Sequence, residues 1–375
     1  MHDTRITFRY LSEPDAIAAG VTDMRACVDV MEEMFVALGA GDYRMAGSEG
    51  NSHGAMISFP ASSPFPNMPV DGPDRRFMAM PAYLGGSFDL TGVKWYGSNV
   101  ANRDRGQPRS IHLFVLNDKD TGAPLMAMSA NLLSAYRTGA VPGVGARYLA
   151  RADAKVAAII GPGVMGRTGL EAFMAVRPGL EVVQVLGRSR RTIDEFVLWA
   201  KEKFPGLTIR VCESMQQALA GADMVNVGTS SPVGSANYPY LAQEWLSPGA
   251  FVSSVAVQRF DEDFLLHRSY NAVDYGNLYR AWTEEYPYPL FETIGLAGCQ
   301  LFDMVTRGDL EPSTIVELCD LIDGTARQPA EDDIRIFGVG GMPVEDVAWA
   351  SKVYENALER GIGTDLLLWD APALA

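Results

Sequence analysis

Apolar positions recur along this 375-residue chain with two periods, and the pattern changes once. Over residues 24–38 they fall every third or fourth position, which predicts an amphipathic helix following Thr22. Runs of strand length and composition follow at 76–83, 91–96, 110–116 and 124–128, the last two separated by the NDKDTG turn at 117–122. Gly-, Ser- and Pro-rich connections fill 46–76 around a short strand at 55–59. The first third therefore reads as a mixed or antiparallel β region with one helix. Residues 130–150 read as a helical connector with small residues on one face and a kink at Pro142 and Gly143.

Beyond Asp153 the rhythm is different. Strands predicted at 155–160, 181–186, 208–212 and 224–227 alternate with helices at 168–176, 192–203 and 214–220. Such alternation implies a parallel sheet covered on both faces. A strand at 250–255 continues it, and one at 334–337 closes it. The stretch 274–288, DYGNLYRAWTEEYPY, reads as an aromatic-rich loop that lines a pocket or packs over one. A last long helix at 344–360 lies far along the chain from the first third but is free to return to it. The expected fold class is α/β, a Rossmann-type doubly wound parallel sheet over residues 136–342. The chain ends, 1–135 and 343–375, make a second, α+β domain.

One turn carries specific chemistry. KVAAII runs into GPGVMG, which puts Gly161, Gly163 and Gly166 between a buried strand and a helix start, the context in which GxGxxG denotes a dinucleotide site. Gly161 permits the tight turn, Gly163 clears a path for the pyrophosphate, and Gly166 lets helix and strand approach. The backbone at Val164 and Met165 then offers unpaired N–H groups at the positive end of the helix. About twenty residues on, where NAD-binding sites carry a carboxylate for the ribose 2′-hydroxyl, the chain reads Leu186-Gly187-Arg188-Ser189-Arg190-Arg191. Guanidiniums and a hydroxyl suit a 2′-phosphate, so NADP(H) is expected in preference to NAD(H). Thr229 and Val255, at the carboxyl ends of the strands 224–227 and 250–255, are further candidates for cofactor contact.

Composition narrows the partners. A net charge of −15 argues against nucleic acid or an acidic membrane surface. No signal peptide, and no apolar run of the ~18 residues that a membrane span needs, is evident, so a cytoplasmic protein is expected. Cys27, Cys212, Cys299 and Cys319 lack metal or redox spacing, and His2, His53, His112 and His267 form no ligand pair, so no metal site is expected. Two cations stand among apolar or small neighbours: Lys94 in TGVKWYGSN and Arg137 in SANLLSAYRTGA. Burial of either needs an anion. A substrate carboxylate would serve, and so would a carboxylate of the protein; the residues alone leave both open. Arg44 and Arg109 are weaker candidates for substrate contact.

These stretches together, GVKWYGSN, LNDKDTGAPL, SANLLSAYRTGAV, IIGPGVMG and the late FGVGGMPVEDVAWA, resemble the ornithine cyclodeaminase/mu-crystallin family over about residues 77–364. Within it, MPAYLGG, GVKWYGS, EWLSPGAFVS and ERGIGTDLLLW are similar to the N-(2-amino-2-carboxyethyl)-L-glutamate dehydrogenase branch. Some relatives there carry a tyramine oxidase label. The resemblance implies a homodimer whose substrate domain, built from both chain ends, supplies the interface. It implies an NAD(P)-dependent oxidoreductase acting on a small amino or imino acid, with Arg137 gripping the carboxylate and Lys94 binding it or moving a proton. Asp346 is implied to fix the last helix near the site. The alternatives are oxidative cleavage of an N-carboxyalkyl amino acid, cyclodeamination, a non-catalytic NADPH-binding protein, and an accessory role in an amine-oxidising complex. Two departures matter. Where cyclodeaminases carry a catalytic aspartate, this chain has Gln258 and Arg259, with Asp261–Asp263 following; and YRMAGSE at 43–49 stands in place of the family's Q-P-x-R segment.

Overall fold

A computed structural model describes residues 4–374 as two compact units. The first comprises the chain up to Asp23, Ala40–Arg137, and everything from Met342 onward. The second comprises Met24–Gly39 and Thr138–Gly341. The helix Met24–Gly39 thus leaves the first third, contrary to the expected boundaries. Its buried stripe, including Val28, Met31, Phe35 and Leu38, packs on the helices Val164–Val176 and Leu318–Asp323. Arg147 of the connector helix ion-pairs with Asp29 and Glu32 on its other side. Its apolar stripe is therefore satisfied within the second unit.

The first unit is built on one eight-stranded mixed sheet. Its strand order is Thr364–Trp369, Ile6–Leu11, Pro124–Ser129, Ser110–Asn117, Leu90–Ser98, Arg76–Leu84 and Tyr43–Met45, with Ala55–Ser58 also on Arg76–Leu84. Both chain ends build the same side of the sheet: Thr364–Trp369 forms the edge and pairs antiparallel to Ile6–Leu11, which pairs parallel to Pro124–Ser129. Strand alternation gives this sheet two distinct faces. Met78, Met80, Ala82, Lys94, Tyr96 and Phe114 lie on one face, which the helix Pro343–Glu359 covers. Phe77, Trp95, Ile111 and Leu113 lie on the other, 40 to 53% exposed.

In the second unit, eight parallel strands run in the order Thr208–Val211, Val182–Leu186, Val156–Ile160, Met224–Val227, Phe251–Ser254, Ile334–Gly338, Ser269–Val273, Val316–Glu317. Strand order reverses between Val156–Ile160 and Met224–Val227, the switch point where such sheets bind ligands. The connector helix Asn131–Leu149 runs on as one element across Pro142. Residues 274–288, expected as a loop, contain the helix Gly276–Glu285. Tyr275, Leu278, Tyr279 and Trp282 fall at helical spacing and are buried, with Tyr279 stacked on Phe302 at 5.2 Å. Among the described residues no helix is long and apolar enough to cross a membrane.

Candidate active site

In the second unit, each fingerprint glycine has a separate physical reason. Gly161 has φ +93, and a Cβ there would lie 2.7 Å from the Gly228 carbonyl oxygen. At Gly166 a Cβ would lie 2.4 Å from the Gly161 oxygen and 2.9 Å from Ile159. A Cβ on Gly163 would meet nothing within 4 Å, so that glycine keeps open the space in front of the helix Val164–Val176. Gly163 is the N-cap and supplies no side-chain acceptor, which leaves the first N–H groups of the helix to an external anion. Asn226 Nδ2 donates to the Met165 carbonyl at 3.1 Å and holds the turn in register. A dinucleotide pyrophosphate fits this cradle.

The basic segment after Leu186 is resolved into different roles. Arg188 is exposed and donates to the Ser230 carbonyl at 2.7 Å; among the described residues no carboxylate ion-pairs with it. Ser189 caps the helix Arg190–Lys203, its hydroxyl accepting from the Thr192 N–H. Arg190 is offset by Asp194 at 2.9 Å, and Arg191 by Glu195 at 3.8 Å. Thr229 donates to the Val257 carbonyl, and Val255 sits half-buried at the end of its strand. Gln258 is fully buried and bonded to Ser254, while Arg259 lies over the Tyr240 ring. Asp261, Glu262 and Asp263 are exposed.

In the first unit, the structure brings Lys94 and Arg137 together and supplies both with carboxylates. Lys94 is 1% exposed, and its Nζ lies 3.0 and 2.8 Å from the two oxygens of Asp346. It also donates to Ser134 Oγ at 3.3 Å. Arg137 Nε donates to Asp346 Oδ1 at 2.9 Å and its Nη1 to Glu345 Oε2 at 2.7 Å. Of the two readings open in the sequence, protein carboxylates are the partners seen here. The group is a buried quartet with two charges of each sign. Asp346 therefore does more than anchor its helix, since it bridges both cations.

Burial and neighbours set the protonation states. Burial, reinforced by the Arg137 charge, pulls the Lys94 pKa down to about 8 against the pull of Asp346. Burial also opposes the Arg137 charge, but Asp346 and Glu345 outweigh it and hold the guanidinium above its ordinary value. For Asp346 burial works upward, and Arg137 and Lys94 bring the carboxyl below its usual range. His112 is the cross-strand partner of Tyr96, on the Lys94 face, with ring centroids 4.6 Å apart. Burial and then the Lys94 charge push it down to about 3, so the imidazole is neutral at ordinary pH.

The other expected cations do not join this quartet. Arg44 lies on the strand Tyr43–Met45, where Tyr43 and Met45 point inward and Arg44 outward. Register with Tyr83 puts it on the sheet face opposite Lys94, and its guanidinium donates to the Tyr43 carbonyl at 2.6 Å. Strand alternation thus keeps it off the face that carries Lys94. Arg109 ion-pairs with Asp74 at 3.2 Å, as does Arg76 at 2.5 Å. Asp74 also accepts from Ser98, which lies on the Lys94 face two side-chain positions along the strand. Glu345 was absent from the sequence reading, and His112 was weighed there only as a metal ligand. The available signals were two adjacent acids opening an otherwise apolar helix, and the alternation in SIHLFVLN that aligns His112 with Phe114 and Leu116.

Among the described residues no group of His, Cys, Asp and Glu could hold a metal ion. The model of the ornithine cyclodeaminase/mu-crystallin family matches residues 20–361. N-((2S)-2-amino-2-carboxyethyl)-L-glutamate dehydrogenase of Staphylococcus aureus is 27% identical over 297 residues, 78% of this chain and 82% of that protein. The structure of Thermococcus litoralis Delta(1)-pyrroline-2-carboxylate reductase, in complex with NADH and L-proline, is similar with a TM-score of 0.78. It is 26% identical and covers 96% of this chain and 100% of that one. An archaeal alanine dehydrogenase dimer with bound NAD has the same fold, with a TM-score of 0.77 at 23% identity over 97% of this chain and 100% of its own.

Proposed function

The chain belongs to the ornithine cyclodeaminase/mu-crystallin family, and from that premise we propose that it is an NAD(P)-dependent oxidoreductase acting on the C–N bond of a small amino or imino acid. The observation that carries this is the buried pair Lys94 and Arg137, held by Asp346 and Glu345 on one sheet face. A nicotinamide dinucleotide held at the Gly161–Gly166 turn would supply the hydride chemistry at the substrate α-carbon. Arg137, charged at all working pH values, orients the substrate carboxylate. Lys94, with its pKa near 8, takes a proton from the substrate nitrogen on oxidation and returns it on reduction. The same pair suits alanine-like and cyclic imino acids, the substrates named for its relatives. Turnover of an amino- and imino-acid panel, followed at the reduced-cofactor absorbance, tests the reading. Lys94→Met should lower kcat by at least about a hundredfold; a variant with normal turnover would remove Lys94 from the mechanism.

The cofactor, the assembly and the substrate can each be specified further. Arg188, the one guanidinium of its segment without a carboxylate among the described residues, supports NADP(H) over NAD(H). The exposed apolar sheet face, where Phe77 stacks on Trp95 at 5.7 Å, supports a homodimer formed through the first unit. Arg109, half exposed beside Asp74, favours a second reading, oxidation of an N-carboxyalkyl amino acid, whose extra carboxylate would meet this arginine. Arg109→Ala should then raise KM for a dicarboxylic substrate and leave alanine or proline unaffected.

A further inference from the structure

An amino acid brings to a site both a carboxylate and N–H donors, and those donors need an acceptor in the first unit. On the Lys94 face the carboxylates are already engaged. Asp346 Oδ1 accepts from Lys94 and from Arg137, and its Oδ2, which accepts no hydrogen bond among the described residues, is held by the Lys94 ammonium as an ion pair at 2.8 Å. Glu345 Oε1 accepts the Met342 N–H, and Oε2 accepts from Arg137. Ser134 Oγ accepts from Lys94.

His112 is different, because its acceptor nitrogen is neutral and no cation is paired with it among the described residues. Its Nδ1 is buried and has no hydrogen-bond partner among the described residues. The backbone around it is tied down: its N–H donates to Asn131 Oδ1 at 2.9 Å, and its carbonyl accepts from the Ala130 N–H at 3.1 Å. The Tyr96 ring packs against the imidazole at an interplanar angle of 37° and offers it no polar partner. The register sets Lys94, whose cross-strand partner is Phe114, diagonal to His112 on the same face. The charged groups that bear on the ring are Lys94 on the neighbouring strand, Arg137 on the connector helix, Asp346 on the last helix and Arg109 at the start of its own strand. Cations outnumber anions among them, so the ring remains neutral and keeps a lone pair free.

The geometry points to His112 Nδ1 as the acceptor of the substrate N–H, and so as the residue by which this site tells an amino or imino acid from a plain carboxylic acid. The inference rests on the proposed roles of Arg137, which orients the substrate carboxylate, and of Lys94, which exchanges a proton with the substrate nitrogen. It requires the imidazole tautomer with its proton on Nε2. A buried ring nitrogen left without a partner carries its desolvation cost uncompensated, and the substrate nitrogen would relieve it.

The test uses the full chain with NADPH or NADH present, and isothermal titration with three matched pairs. These are L-alanine and propionate, L-proline and cyclopentanecarboxylate, and L-glutamate and glutarate. For the wild type, at least one amino acid should bind more tightly than its des-amino partner. His112→Leu should shrink that ratio by about tenfold or more, the worth of a hydrogen bond to a charged donor, with the des-amino affinity held within about twofold. His112→Asn, whose Oδ1 takes the place of Nδ1, should keep the ratio, whereas His112→Gln, which puts its oxygen one bond further out, should lose it. The Asn and Gln pair decides the matter even if the Leu variant fails to fold. If Leu keeps the ratio, or if Asn and Gln behave alike, the role of His112 is refuted while the proposed roles of Arg137 and Lys94 stand. If no ligand of any pair binds the wild type, the underlying reading fails and takes this one with it.

Discussion

Replacing Asp346 by Asn leaves the shape of the quartet almost unchanged and removes one of its two negative charges. Asp346 is fully buried and bridges Lys94 and Arg137 at 2.8 to 3.0 Å. At an effective dielectric of about 20, each contact is worth roughly 6 kcal/mol of gross Coulomb attraction, largely offset by desolvation. Removing one partner of a buried pair typically costs about 3–5 kcal/mol, because the remaining charge is stranded. Asp346→Asn should therefore lose about 3–5 kcal/mol. Adding Lys94→Met should recover much of that loss, since Arg137 and Glu345 remain a neutral pair 2.7 Å apart. Urea unfolding followed by tryptophan fluorescence reads this directly. Trp349, one turn along the same helix, is fully buried and donates to the Val21 carbonyl at 3.1 Å. If Asp346→Asn cost less than about 1 kcal/mol, or if the double variant lost the simple sum of its singles, the quartet would not be an electrostatically coupled unit.

Further outcomes follow from the same geometry. Neutral Lys94 accumulates as pH rises through about 8, so oxidative kcat/KM should climb toward that pH and level off, and the reductive rate should fall above it; profiles from about pH 6 to 10 check both limbs. Arg188→Ala should weaken NADPH binding by roughly tenfold and NADH binding little, measured by nucleotide fluorescence; equal losses would refute the 2′-phosphate role. Gly161→Ala, forced to φ +93 against the Gly228 carbonyl, should cost stability of about 1–3 kcal/mol. Gly163→Val, with nothing within 4 Å of its Cβ, should leave the melting temperature unchanged and abolish dinucleotide binding. Trp95→Glu on the exposed sheet face should shift the sedimentation coefficient toward that of a monomer.

The parallel sheet was legible because its strands are short apolar runs separated by helices, and this local pattern survives without tertiary information. The turn at Gly161–Gly166 was legible for the same reason, since strand, turn and helix are consecutive. The strands Ile6–Leu11 and Thr364–Trp369 were not, because their pairing joins opposite ends of the chain. Gly276–Glu285 was misread as a loop because its aromatics were weighed as pocket lining before their helical spacing was considered. At the candidate site Lys94 and Arg137 stood out by chemistry, whereas Asp346 entered only through the family resemblance, as a helix anchor, and Glu345 not at all. Lys94 and Asp346 are 252 positions apart, and the choice between a substrate carboxylate and a protein one is a tertiary fact. Arg44 stands apart from Lys94 for a local reason, since alternation in a three-residue strand points it to the other sheet face.

Glu345 occupies two posts at once. One carboxylate oxygen receives the Met342 N–H at the start of the helix Pro343–Glu359, and the other receives Arg137. Fraying of that first turn and release of the guanidinium are consequently one event. A ligand that draws Arg137 toward itself must either loosen the turn or be held by an arginine whose reach the turn limits. Amide hydrogen exchange at Met342 to Asp346 would then report occupancy of a site to which those amides contribute no contact of their own.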